Sequence, residues 1–191
     1  MKEENKETKM PTVGEMSIVD DTASIESGTS IGRFCIISEN VTIGKNVKIM
    51  DYVKLMPGTV IRDNVQLDDY VNTSGYCVIG EGSIVKRCTM IGQACYVGAN
   101  VWIGSHVTTT RIKYPGTSGG EAESIEEPIH IEHDAMIGSS SIILAGVKIG
   151  HNAIIAAGSV ISKNCVPYGI YRGQAAINRG FKRPKLSDKE G

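Results

Sequence analysis

The chain has 191 residues, a formal net charge of -1 and a pI of about 6.4. That near-neutral balance argues against the basic surface that a nucleic acid or an anionic membrane attracts, and no apolar run approaches the roughly 20 residues of a membrane span. Aromatic residues make up only 5% while Gly occurs 22 times, which speaks against a helical bundle and for short strands joined by tight turns.

Residues 1–16 are charged at the start, have no hydrophobic segment behind them, and are expected to form a polar tail rather than a secretory signal. The five cysteines (Cys35, Cys77, Cys88, Cys95 and Cys165) contain no C-x-x-C pair and no zinc spacing. An odd count without a signal reads as reduced thiols in a cytoplasmic protein.

From Val19 onward the sequence repeats in steps of six: Val19, Ile25, Ile31, Ile37, Ile43, Ile49, Leu55, Ile61, Leu67, Thr73, Ile79, Val85, Ile91, Val97 and Ile103, fourteen of fifteen being aliphatic. Four residues after each stands a small or β-branched companion, such as Thr29, Cys35, Val41 or Val101. Companion, intervening residue and next aliphatic form a strand whose outer two side chains point inward and whose middle one points outward. The remaining residues, rich in Gly, Asn and Asp, turn a corner. One such edge cannot hide its apolar face, but stacked turns of a solenoid bury a continuous core. The expected domain spans residues 17–166.

The rhythm stops once, over "VTTTRIKYPGTSGGEAESIEEPIH" (residues 107–130), giving an expected loop excursion at 109–130. A loop of that length in a compact solenoid is functional or disordered. The repeat resumes at Ile131, Ile137, Ile143, Ile149, Ile155 and Ile161, and residues 167–191 read as a C-terminal extension and tail. Outward positions become apolar toward the C-terminal half, as in Ile84 and Trp102 and then Met136, Ile142 and Ile154. Contiguous apolar columns predict a protein interface.

These residues resemble the hexapeptide-repeat acyltransferases, whose unit is L/I/V-G/A/E/D-x-x-S/T/A/V-x. The resemblance covers residues 19–108 and 131–166, and "VPYGIYRGQAAINRG" (residues 166–180) is similar to the family's closing segment. It implies an all-β chain, a left-handed parallel β-helix of about seven triangular coils, five before the break and two after. It also implies a homotrimer with active sites between subunits. The segment around the break looks most like the nucleotide-sugar N-acetyltransferases, which have a T-N-x-x-x-P run there; Arg111 stands at the Asn position of that run.

On that resemblance the excursion helps form the acceptor pocket, with Arg111, Lys113 and Tyr114 as substrate-binding candidates and a cation near phosphate. Acetyl-CoA is the implied cofactor. Main-chain groups at Ser139 and Ala157 would meet its pantetheine arm, and Lys163, Arg172 and Arg179 its anionic end. No metal ligand set is expected for catalysis. Galactoside and xenobiotic O-acetyltransferases of this fold carry a His within the corresponding loop, whereas positions 108–129 contain none. A hydroxyl acceptor needs a general base more than an amine does, so the reading leans to N-acylation of a sugar, nucleotide-activated. His106, in a corner just before the excursion, is the first candidate for a base. His130 and His133 flank the re-entry, and His151 reads as a solvated corner residue. The alternatives are sugar O-acetylation, a gamma-type carbonic anhydrase using His106, His130 and His133 on zinc between subunits, and a non-catalytic scaffold.

Overall fold

The computed structural model describes residues 9–112 and 127–173. Each hexapeptide supplies a two-residue strand followed by a corner. Among the described residues twenty-four strands run from β1 (Thr12–Val13) to β24 (Ile170–Tyr171). They form three sheets in which every third strand is a neighbour and all pairings are parallel. The first sheet has nine strands and contains β1, β16 (Trp102–Ile103), β19 (Met136–Ile137), β22 (Ile154–Ile155) and β24. The second has eight and contains β17 (Thr108–Thr109), β20 (Ile142–Ile143) and β23 (Val160–Ile161). The third has seven and contains β15 (Tyr96–Val97), β18 (His130–Ile131) and β21 (Lys148–Ile149). The stack thus holds eight coils, one more than the repeat count predicts, because pairing continues at both ends. Thr12 pairs with Ser30 inside the segment read as a tail, and Ile170 pairs with Ile154 in the C-terminal extension.

Three corners separate the sheets. The first corner leads from the first sheet to the second, the second corner from the second sheet to the third, and the third corner back to the first. Successive coils are offset by eighteen residues, as in Ser30–Lys48–Gln66–Ile84–Trp102 along the first sheet. Across the break the offset is 34 in all three sheets: Tyr96 with His130, Trp102 with Met136, Thr108 with Ile142. The excursion therefore adds chain to the second corner of one coil and leaves pairing above and below intact. Thr110 Oγ1 accepts the Ala145 N–H at 3.0 Å, and the Glu127 carbonyl accepts the Gly146 N–H at 3.0 Å. Both ends of the excursion are thus pinned to two consecutive residues of one corner.

The core is the column set read from the sequence. Ile37, Ile43, Leu55, Ile61, Leu67, Ile79, Ile91, Ile103, Ile131, Ile137 and Ile143 are fully buried. Thr73, the exception in the first block, is buried because its hydroxyl has partners: Thr59 Oγ1 at 3.0 Å and the Met56 N–H at 3.0 Å. A buried hydroxyl with its bonds made avoids the desolvation cost of an orphan. Cys35, Cys77, Cys95 and Cys165 are buried unbridged thiols and Cys88 is exposed. Burial pushes the Cys165 thiol up to about 11, keeping it protonated and inert. At the C-terminal end Tyr171 lies against the core, and its Oη accepts the Val166 N–H at 2.7 Å.

Most corners adopt left-handed backbone at one residue, which explains Asn46, Asn64, Asn100 and Asn152 at φ 55–59°. A second demand is close approach between coils. A Cβ on Gly98 would stand 2.6 Å from the His133 backbone N, and one on Gly104 would stand 2.5 Å from that of Ser139. Neither neighbour is a movable side-chain end. We expect Gly98→Ala to destabilise the stack by about 1–3 kcal/mol, the usual cost of overpacking, read as a lower urea midpoint. An unchanged midpoint would show that the coils separate freely there.

Candidate active site

Topology gathers most of the sequence candidates around one face, the C-terminal half of the second sheet. His106, Ser139 and Ala157 lie on the first corner, immediately before β17, β20 and β23 respectively. Arg111 and Lys163 lie on the second corner, immediately after β17 and β23. Arg172 follows β24 and, with Lys163, lines a hollow of about 270 Å³ that also includes Val160, Ser162, Asn164 and Tyr171. The outward side chains of Thr108, Ile142 and Val160 floor this face between the two corners. Lys113, Tyr114 and Arg179 lie outside the described residues.

The first corner changes character along its length. Its left-handed positions are Met16, Phe34, Tyr52, Tyr70, Cys88, His106, Ser140 and Gly158, at φ 57–70°. Phe34, Tyr52 and Tyr70 stack as a ladder, with ring centroids 5.1 and 4.8 Å apart and planes within 5°. Beyond Tyr70 the column becomes small or polar, and a Cβ on Gly158 would meet nothing within 4 Å. This open stretch runs beside the candidate cofactor residues Ser139 and Ala157. His106 is exposed, and its main-chain N–H is bonded to the Arg87 carbonyl at 3.0 Å.

The third corner holds a cluster that the sequence reading left unassembled. His133 and His151 stack, with centroids 5.0 Å apart and planes within 11°. His133 Nδ1 lies 2.7 Å from Asp134 Oδ2, and His151 Nδ1 lies 3.1 Å from Glu132 Oε2. Tyr168 meets His151 edge-on at 5.2 Å. Lys148 pairs with the other Glu132 oxygen at 2.8 Å. A carboxylate on Nδ1 fixes the tautomer that leaves Nε2 free to accept a proton, which is how an imidazole is prepared as a base. One signal was available: His133 and His151 are eighteen residues apart, one coil, so they share a column. His151 is accordingly a stacked, carboxylate-bonded residue and not a plain solvated corner. The zinc alternative fares differently within one chain, where His106 is on the first corner, His130 on the third sheet beside Tyr96, and His133 on the third corner. Among the described residues no group of three or more His, Cys, Asp or Glu is placed to hold a metal ion.

Comparison with known proteins agrees with this architecture. Residues 13–113 match the family described as GMPPB C-terminal domain, and residues 128–163 match the bacterial transferase hexapeptide (six repeats) family. The chain belongs to the hexapeptide-repeat proteins, within the GMPPB C-terminal domain family. It is 36% identical over 113 residues to the bifunctional protein GlmU of Thermotoga petrophila, covering 58% of this chain and 23% of that relative. The chain thus spans about a quarter of the length of the GlmU relatives it matches. Among solved structures, LpxA from Acinetobacter baumannii superposes with a TM-score of 0.58 at 21% identity, covering 83% of this chain and 70% of that one. The UDP-N-acetylglucosamine acyltransferase from Campylobacter jejuni gives 0.56 at 17% identity, covering 81% and 69%. The hexapeptide-repeat fold, a left-handed parallel β-helix, is shared with both. No helix among the described residues is long and apolar enough to cross a membrane.

In this hexapeptide-repeat chain the third-corner charges make an acid-sensitive contact. The Lys148 bond above all, then the His151 main-chain N–H and ring, hold Glu132 down from an ordinary 4.5 to about 2. A lowered carboxylate adds stability above the unfolded value and loses it as pH falls toward the folded one. Melting temperature should therefore drop between pH 4.5 and about 2, and less steeply in Glu132→Gln. Equal slopes in both proteins would show that this carboxylate does not contribute.

Proposed function

We propose that the protein is an acetyl-CoA-dependent acetyltransferase that N-acetylates an amino group of a nucleotide-activated sugar. The observation that carries this reading is the convergence of His106, Arg111, Ser139, Ala157, Lys163 and Arg172 around one face of the second sheet. An excursion of the chain is pinned at the edge of that face by Thr110 and Glu127. The residues present fit the cofactor. The hollow lined by Lys163 and Arg172 offers two cations for its phosphates, and the small first-corner residues leave main-chain groups open for its arm. When bound, acetyl-CoA would supply an acyl carbon in a thioester. Arg111, with Lys113 and Tyr114 of the excursion, would hold the acceptor beside it, and Arg179 would add to the anionic end. Transfer would join the acceptor nitrogen to the acyl carbon and release coenzyme A as the thiol, so a group of this chain would have to accept the proton that the nitrogen loses and pass it on to the leaving sulfur. His106 takes that proton on this reading. Positioning supplies much of the rate, because an amine attacks once neutral.

A hydroxyl acceptor is the second reading, and one observation favours it. The loop lacks a His, but His133 and His151 are imidazoles backed by carboxylates, the kind of base a hydroxyl requires. They lie on the third corner, away from the second-sheet face of their own chain, so they meet such a face only on another copy. The first sheet carries the matching apolar column, Ile84, Trp102, Met136, Ile154 and Ile170, with Ile154 40% and Ile170 72% exposed. An exposed apolar column of this length supports a homotrimer with shared sites.

Thiol release from acetyl-CoA with amino- and hydroxyl-sugar nucleotides decides between the two acceptors. Turnover on amines alone supports N-acylation, and turnover on hydroxyls alone overturns it. Replacing the working base, His106→Ala or His133→Asn, should lower kcat by about 10²–10⁴-fold, and no loss in a variant removes that residue from the role. Ile154→Glu should convert a trimer to monomers in sedimentation, and a wild-type monomer would remove the shared site.

A further inference from the structure

We propose that the first corner contains a one-rung slot, at Cys88 between Tyr70 and His106, that binds a nucleobase by stacking. The ladder above it fixes the geometry. Phe34, Tyr52 and Tyr70 occupy successive coils at the same left-handed φ of 57–62°, and their rings follow at 5.1 and 4.8 Å. Cys88 and His106 continue the column at φ 59° and 58°. The same backbone conformation directs their Cα–Cβ bonds the same way. The column therefore carries ring-bearing residues at Tyr70 and His106 with the short Cys88 side chain between them.

Two coil steps separate those two rings, about 9.6 Å at the ordinary inter-strand spacing. A planar ring inserted midway would lie about 4.8 Å from each, within the centroid range of stacked aromatic pairs. Exposure points the same way. Tyr70, whose one ring partner is Tyr52, is 56% exposed at the end of the ladder that faces Cys88. Cys88 and His106 are both exposed, and so is Arg87 beside them, a cation at the rim for a phosphate. An aliphatic ligand would use none of this. A flat heteroaromatic ring with a phosphate attached uses the ring faces and the rim cation together. Both the acceptor nucleotide and the adenine of coenzyme A carry such a base, but an adenine here would lie beyond His106 from the phosphates assigned to Lys163 and Arg172, so the acceptor nucleotide is the source that agrees with the face assigned above. Only the choice of source rests on the acetyl-transfer reading.

The test is isothermal titration of the full chain with UMP, AMP, coenzyme A and pantetheine. Tyr70→Ala and Cys88→Tyr should each weaken nucleotide binding by about tenfold or more, the worth of one stacked base, while Tyr70→Phe and Cys88→Ala leave it unchanged. Cys88→Tyr is safe for the backbone because Tyr52 and Tyr70 hold the same φ. Preference for UMP assigns the slot to the acceptor, and binding of AMP and coenzyme A but not pantetheine assigns it to the cofactor. Absence of nucleotide binding overturns the slot, as does wild-type affinity in both Tyr70→Ala and Cys88→Tyr. Thiol release separates this from the activity. Transfer at wild-type kcat and KM in Cys88→Tyr together with unweakened nucleotide binding overturns the slot and keeps the transferase, whereas nucleotide binding with the stated variant pattern but no transfer keeps the slot and removes the transferase.

Discussion

Everything in this molecule rests on the main-chain hydrogen bonds between successive coils. Each two-residue strand donates to the coil beyond it, as in Ser30 N–H to the Val47 carbonyl at 2.9 Å and Gly32 N–H to the Ile49 carbonyl at 2.8 Å. Strands this short have no stability of their own, so register must be held across every coil at once. The eighteen-residue period does this by aligning like with like: aliphatic over aliphatic inside, corner over corner outside. The glycines at Gly98 and Gly104 follow from the same requirement, since the coils approach too closely there for a side chain.

That alignment turns sequence spacing into spatial adjacency, which is why the fold was legible. Alternation gave the inward and outward sets, and the exception at Thr73 is resolved by its bonds to Thr59 and Met56. The ends were less legible because the outermost coils lack the full pattern. Thr12–Val13 pairs through main-chain groups that any residue possesses. The site was legible in part. Period and corner position put His106, Ser139 and Ala157 on one edge, and resemblance supplied their meaning. The His133–His151 pair was harder to see. Stacking follows from spacing, but the bonds to Asp134 and Glu132 depend on rotamers that no period encodes.

The same columnar logic makes the two ends of the first corner differ in use. The aromatic half stacks ring on ring from Phe34 to Tyr70. The small half leaves the corner open beside the second-sheet face. The third corner holds the stacked imidazoles and their carboxylates, apart from Lys163 and Arg172. A chain divided this way carries its cations and small residues along one face and its carboxylate-bonded imidazoles along another corner.

The neck formed by Thr110, Glu127 and the Ala145–Gly146 corner sets how this protein can change. Because both ends of the excursion are tied to one point, the stack experiences the insertion as a closed loop of fixed mouth, whatever lies beyond it. Doubling such a loop costs only about 0.6 kcal/mol of closure entropy. Length and composition of the excursion are therefore nearly free variables, decoupled from the register that holds the coils. That one segment can be rewritten without a compensating change anywhere in the helix.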